Sequence, residues 1–489
     1  TAFLTGCPRG PITNADFTSA DIYGGSRDGL LAGGMEDVAA TNETEDSSTR
    51  ELVEPDVIRQ EGNLLYVLNQ YRGLTVVDLL TERVLSQTPT VGYPRDLYLV
   101  DGRAYVLVSY AQELSYEETM LSVSYGSKLY VFNVENPAAV TTEGAFSFEG
   151  DLVDSRMVGS VIYAVCSDYT WYEASEDDRV VETDPATKSY GSTWAVSLDI
   201  ADPSNIGIAN RLSFSGYGNL IQATNYAIFS VSTNWNYTAN TATSVVNYID
   251  ISDPQGAIVL RGAAEIPGYM ADRFKMDAWE GVLRLVTNTG WPSRQTYITT
   301  LDITDPDTLT PLGQTALESA SGETLYATRF DGPLAYIVTY LTVDPLFVVD
   351  LSNPAAPQVK GELKIPGWST HIEPRGDRLL ALGVDDTDGN RKVMVSLFDV
   401  SAPETPTRLA YASFGDSWSW SSAYNDVKAF TVMDDLLLIP VSGWTDAGGS
   451  YDRLQFVSWT PDTLDAKGYV DLQGSALRSF GYGDYSYAV

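Results

Sequence analysis

From residue 51 onward the chain alternates short apolar runs with polar breaks, and the runs recur. Leu-Leu-Tyr-Val-Leu at 64–68 returns in kind at 104–108, 162–165, 227–231, 335–338, 379–382 and 436–439. Apolar runs of four or five residues bounded by Gly, Asp and Pro read as buried strands, and no stretch carries a convincing helical period. A second element is a strand that ends in an Asp and a Pro turn. It appears as Asp199-Ile-Ala-Asp-Pro203, Asp250-Ile-Ser-Asp-Pro254, Asp302-Ile-Thr-Asp-Pro306, Asp350-Leu-Ser-Asn-Pro354 and Asp399-Val-Ser-Ala-Pro403. Their first residues lie 51, 52, 48 and 49 apart, and Asn133 and Asp78 extend the series upstream. An Asp in this place accepts backbone N–H bonds where the third strand turns into the fourth. A residue repeated in this way belongs to the scaffold rather than to catalysis.

Each unit holds four strand-like segments, and first strands start near Asp56, Asp96, Asp154, Asn219, Asp272, Thr324, His371 and Lys428. Four short strands in about 40–50 residues, repeated, predict an all-β fold: a β-propeller of four-stranded blades. One blade cannot bury both of its faces, so stacking between neighbours must supply the core. Eight blades are expected over 51–489. Seven and nine stay open, because a ninth set begins at Arg478 and stops at Val489 in mid-blade.

Composition narrows the function. The 489 residues carry 65 acidic against 30 basic side chains, a formal charge of −35. Such a surface repels a phosphate backbone and argues against nucleic acid. No run of about 18 apolar residues offers a membrane span. A single histidine, His371, and two cysteines, Cys7 and Cys166, remove a His-rich metal site, a Cys-rich zinc site and a disulfide scaffold. Lysine is scarce, 8 against 22 Arg, while Asp outnumbers Glu 42 to 23. That bias suggests saline water, where screening tames self-repulsion.

Leu4-Thr5-Gly6-Cys7 resembles a bacterial lipobox, in which a signal peptidase cuts before Cys and the thiol takes lipid. On that resemblance residues 1–7 are the remnant of a lipoprotein signal peptide, and Cys7 is the lipidation site. Residues 8–50, rich in Gly, Ser, Thr, Asp and Glu, read as a flexible acidic tether. Pro8 in place of Asp implies outer-membrane or surface display, so the chain is expected outside the cell, touching a membrane only through its lipid.

The junction Glu51-Leu52-Val53-Glu54-Pro55-Asp56-Val57-Ile58-Arg59, with Thr41-Asn42 before it and Tyr93-Pro94-Arg95-Asp96 after it, resembles a family of secreted bacterial and archaeal β-propeller proteins. The Asp-Leu-Ser-Asn-Pro turns are similar to LVIVD-type propeller repeats. The resemblance covers about residues 40–489. It implies a fold and an extracellular address, and no activity.

Chemistry is expected on the face where second strands turn into third strands and blades connect. Trp171, Trp235, Trp291 and Trp444 fall in the former connections, and Trp368, Trp418 and Trp420 in the latter, with Tyr172 and Tyr237 beside them. Insertions at 109–127 and 168–193 thicken this face. Rings over loop backbone suit a sugar or a peptide, or they pack on one another. Asp56, Arg95, Asp96, Asp154, Arg156, Asp272, Arg273, His371, Lys428 and Arg478 are expected around the channel rim. His371 is a candidate general base, but no Gly-x-Ser-x-Gly accompanies it and Cys166 sits within an apolar strand. Asp386, Asp388 and Asn390 resemble the start of a Ca2+ loop without its distal Glu; no other cofactor is indicated. The expected function is a lipid-anchored binding scaffold for a surface protein or glycan. The alternative is an extracellular hydrolase or lyase that acts on polysaccharide through carboxylates at the channel mouth.

Overall fold

The computed structural model describes residues 50–489, apart from Glu51, Glu54, 118–119, 169–191, 215–219, 237–240, 291–293, 341–343, 366, 417, 446 and 484. Cys7, most of the 8–50 segment, Trp171, Tyr172, Tyr237 and Trp291 lie outside the described residues.

Eight antiparallel sheets follow one another along the chain, each ordered as its strands come in sequence: 58–88, 93–148, 151–214, 220–267, 276–316, 324–365, 368–414 and 418–472. These are blades 1 to 8 of a propeller, the number expected from the repeat. Their apolar runs supply the packing between blades. Tyr98, Leu107 and Leu129 of blade 2, for example, share a buried cluster with Met157, Ile162 and Ala164 of blade 3.

The turn aspartates do structural work. Asp199, Asp250, Asp302, Asp350 and Asp399 each accept the backbone N–H two residues on, at 2.9 Å. The next blade reads these turns. Gly361, on the fourth strand of blade 6, lies so close to the blade 7 turn that an added Cβ would stand 2.2 Å from the Pro403 carbonyl oxygen. Gly313 meets Pro354 in the same way. Ser86 donates to the Pro137 carbonyl at 2.7 Å and Thr300 to that of Pro354 at 2.5 Å. The outer strands of blades 1, 5 and 6, and Thr300 on a third strand, are thus keyed to the neighbouring blade's turn.

Two features depart from a simple ring. Leu52–Val53 joins the sheet of blade 3 rather than blade 1, pairing with Met157 and Val158 on the channel-side edge of its first strand. Arg50 just below is held on the lower face, the face of the Asp–Pro turns, by the carbonyl oxygens of Asn225, Ile251 and Asp253. The chain thus climbs through the channel before blade 1 begins. At the other end, Ser479–Tyr482 and Tyr485–Ala488 form a two-stranded sheet wedged between blades 8 and 1. Phe480 and Tyr487 pack into the blade 1 core, and Ala488 against Met433 and Leu438 of blade 8.

Candidate functional site

The channel rim is built from the first strands, which begin on the upper face. Their register slips by one residue between Pro94 and Asp96, Leu152 and Asp154, and Ser369 and His371. A bulge bends the strand and re-aims the side chains beside it. In blade 8 the first strand is broken outright. Two 3-10 turns, Ser422–Tyr424 and Val427–Ala429, separate Trp418–Trp420 from Thr431–Val432 and carry Asp426 and Lys428 inward.

Three charge groups result. In the first, Arg478 donates to both oxygens of Asp56, at 2.7 and 3.0 Å, and to Asp426 at 2.6 Å. Lys428 lies 3.5 Å from Asp56 and donates to the Pro55 carbonyl at 3.2 Å. Burial pushes the Asp56 carboxyl up, but Arg478 and Lys428 outweigh it and hold it below the usual range. Burial wins at Asp426, whose carboxyl is raised despite Arg478. In the second group Asp154 takes Arg156 at 2.5 Å and Arg273 at 3.2 Å, which ties blade 3 to the entry of blade 5. Asp272 is paired with Lys275, and burial raises its carboxyl. In the third, Glu373 gathers His371 at 3.5 Å, Arg329 at 3.9 Å and Arg375. Burial pushes the His371 imidazole below its ordinary value although Glu373 pulls the other way. Its ring lies edge-on to Phe430.

The remaining rim residues serve the same frame. Arg95 donates to Ser109 at 3.0 Å, while Ser155 bridges Asp96 and the Tyr98 hydroxyl between blades 2 and 3. All ten rim residues proposed from the sequence sit on first strands or their entries. Glu373, Lys275, Asp426 and Ser155 were missed. Glu373 was within reach, since i and i+2 share a strand face.

The aromatic residues divide. Trp418 and Trp444 are direct partners across the antiparallel ladder, with Trp420 two residues on, so their rings emerge on one side of the sheet. Both partners are 50% exposed. The Tyr451 hydroxyl supports this corner: it sits against Gly415 and Gly443 and accepts the Asp416 N–H at 3.0 Å. A side chain at Gly443 would stand 2.4 Å from that hydroxyl and 2.6 Å from the Trp418 carbonyl oxygen. Behind the corner runs a ladder: Tyr326, Tyr340 and Trp368 in edge or tilted contact, then Arg391 at 5.0 Å from Trp368 and 5.6 Å from Trp418.

Trp368 corrects the sequence reading. It opens a first strand instead of lying in a loop, and its ring is buried in the core shared by blades 7 and 8. It lies behind the Trp418–Trp444 pair, with Arg391 between Trp368 and Trp418. Trp235 is exposed and tilted against Tyr269 at 5.4 Å, and Tyr110 meets Tyr93 edge-on at 5.7 Å. The insertion at 109–127 is an extension of two strands, Arg103–Glu117 and Met120–Asn133.

Two of the three carboxylates in the acidic hairpin at 385–390 are engaged locally. Asp385 accepts from Thr387 and Ser413, and Asp388 from the Asn390 N–H and Lys392. Among the described residues no group of three or more His, Cys, Asp or Glu is placed to hold a metal. No helix among them is long and apolar enough to cross a membrane. Cys166 is fully buried, and burial raises its thiol.

The family model described as beta propeller domain matches residues 41–475. An uncharacterized protein of Methanocaldococcus jannaschii is 42% identical over 171 residues, 34% of this chain and 26% of that protein. An uncharacterized protein of Archaeoglobus fulgidus is 38% identical over 158 residues, 32% of this chain and 24% of that protein. The matched stretch thus spans about a quarter of each relative's length. Among solved structures, the computationally designed Ika8 protein aligns over 84% of this chain and 95% of its own, at 9% identity and a TM-score of 0.43. Sqt1 of Saccharomyces cerevisiae aligns over 88% and 98%, at 10% identity and a TM-score of 0.42.

Proposed function

The chain belongs to the beta propeller domain family, and because that frame serves binders and enzymes alike, we propose from its faces that it is a non-enzymatic scaffold binding a neutral glycan. The observation that carries this reading is the Trp418–Trp444 pair: opposed in register, half-exposed, and braced from behind by Arg391. Flat rings held on a rigid blade offer apolar area at little entropic cost, which suits sugar faces. A chain of net charge −35 selects against polyanions.

The rim supports the same reading. Asp56, Asp154, Asp272, Asp426 and Glu373 each face a cation within the ring, an arrangement suited to neutral closure rather than to a free acid and base. We place the protein outside the cell, anchored through Cys7, on the strength of Leu4-Thr5-Gly6-Cys7 and the Asp-rich composition.

Affinity electrophoresis against a panel of neutral polysaccharides tests the binding. At least one should retard the protein, and Trp418→Ala with Trp444→Ala should weaken retention about tenfold, in line with about 0.5–1.5 kcal/mol per ring. Equal retention of wild type and double variant, or none by any polysaccharide, sinks the platform. Incorporation of labelled fatty acid, lost in Cys7→Ser, tests the anchor separately.

A further inference from the structure

The corner formed by Trp418, Trp444 and Arg391 draws on three places in the ring. Arg391 comes from the connection between the second and third strands of blade 7, Trp418 from the entry of blade 8, and Trp444 from the end of that blade's second strand. The same three places at the junction of blades 4 and 5 hold Trp235, Tyr269 and Arg294, with tryptophan and arginine exchanged between the two ends. Trp235 closes the second strand of blade 4, Tyr269 follows the last strand of that blade, and Arg294 lies between Val282–Asn288 and Thr296–Asp302 of blade 5. Tyr269 and Asn288 exchange both backbone bonds, at 2.8 and 3.0 Å. The entry is thus paired with the end of the second strand, as Trp418 is with Trp444.

The second corner is rigidly made. Trp235 is 45% exposed, and its ring leans on Tyr269 with 36° between the planes. Gly290 lies beneath both rings: an added Cβ would stand 3.4 Å from the Tyr269 ring and 3.5 Å from that of Trp235. The Asn288 side chain accepts the Gly290 N–H at 2.9 Å, and the Gly290 carbonyl takes the Arg294 N–H at 2.6 Å. Arg294 itself has φ +40°, a conformation seldom adopted by a residue with a side chain. Its charge acts on the Tyr269 hydroxyl, opposing the rise that burial causes. Among the described residues the Arg294 guanidinium, like that of Arg391, takes no hydrogen bond or ion pair.

We propose that the Trp235–Tyr269 corner is a second binding site for the same neutral glycan, on the same face, three blades round the ring from the Trp418–Trp444 corner. This rests on the reading of the Trp418–Trp444 pair as a sugar platform. The two tilted rings receive the apolar face of a sugar, and the guanidinium beside them donates to its hydroxyl oxygens. A hydrogen bond from a charged donor is the stronger kind. Two sites on one face let a single long glycan occupy both, the second contact forming at a concentration set by the length of chain between them.

The test is an NMR titration of the full chain, isotope-labelled at the indole nitrogens of its ten tryptophans, with cellohexaose, mannohexaose, laminarihexaose and maltohexaose. At least one sugar should move the Trp235 signal together with those of Trp418 and Trp444. The Trp235 shift should persist when Trp418→Ala and Trp444→Ala are combined. Trp235→Ala should leave the melting temperature unchanged and weaken retention by the matching long polysaccharide about tenfold. Should that variant unfold, the shift in the unaltered chain still decides. Movement of Trp418 and Trp444 with Trp235 still would overturn this site alone. A Trp235 shift that vanishes in the double variant would overturn it too, because the ring would then only report on the first corner. No shift at any of the three rings with any of the four sugars would overturn both sites, whereas movement of Trp235 alone would keep this site and sink the first platform.

Discussion

Arg478 grips Asp56 across the seam of the ring, with Nε and Nη2 on the two carboxylate oxygens and Nη1 left for Asp426. Both Arg478 and Asp56 are fully buried, so removing the guanidinium strands two carboxylates away from water. Breaking a buried pair from one side costs about 3–5 kcal/mol, more than the pair itself contributes. Arg478→Met should therefore destabilise by about that amount in urea unfolding. Adding Asp56→Asn and Asp426→Asn should recover part of the loss. A single variant as stable as wild type would show that the seam is held by packing alone.

His371 gives a pH dependence that can be read directly, since it is the chain's only imidazole. Burial lowers its folded pKa below the ordinary 6.5, while Glu373 opposes and Arg329 and Arg375 assist. The unfolded chain then binds the proton more readily. This contribution is complete above pH 6.5 and is lost as pH falls from there toward the folded value. Carboxylates with lowered values, Asp56 and Glu373, give way further down, below 3.8 and 4.5 respectively. Melting temperature should start to fall below about pH 6.5, and His371→Gln should flatten that first step. An NMR titration of the lone imidazole with its midpoint above 6.5 would contradict the sign.

The keying of outer strands to neighbouring turns predicts a contrast between two glycines. At Gly361 an added methyl collides with the Pro403 carbonyl, whereas at Gly207 nothing lies within 4 Å and φ is ordinary. Gly361→Ala should cost about 1–3 kcal/mol, and Gly207→Ala about 0.5 kcal/mol or less. Equal melting temperatures for the two would mean that the blades are free to slide apart.

Charge predicts a salt response. With a net −35 the folded ring repels itself, and screening shortens that repulsion to about 8 Å at physiological ionic strength. Melting temperature should rise between near-zero and about 0.5 M NaCl. A flat profile would show that the ion pairs already neutralise what matters.

The ring was readable because its signals are local and repeated. Asp250 and Asp302 name their own turns, and Leu436–Ile439 names its own strand. Spacing alone leads to an expectation of eight blades, with seven and nine left open by the short set that begins at Arg478. What stayed hidden depends on contacts between distant residues. Nothing local in Leu52–Val53 says that it pairs with Met157 and Val158. Nothing local in Trp368 says that its ring turns inward onto Arg391 while Trp418, beside the same guanidinium, faces out. The inward excursion of Asp426 and Lys428 needed the broken strand of blade 8, which apolar patterning reads as a gap.

Arg50 sets how the ring responds to force. Its guanidinium is fixed on the lower face by three carbonyl groups of blade 4, and the next described residues run up the channel wall to Asp56. A pull transmitted through residue 50 is thus met first by blade 4 and the short ladder on blade 3. Only when those fail does it arrive at Arg478 and the seam. The Trp418–Trp444 pair stands on the opposite face, off this path, so a load entering at residue 50 bypasses it.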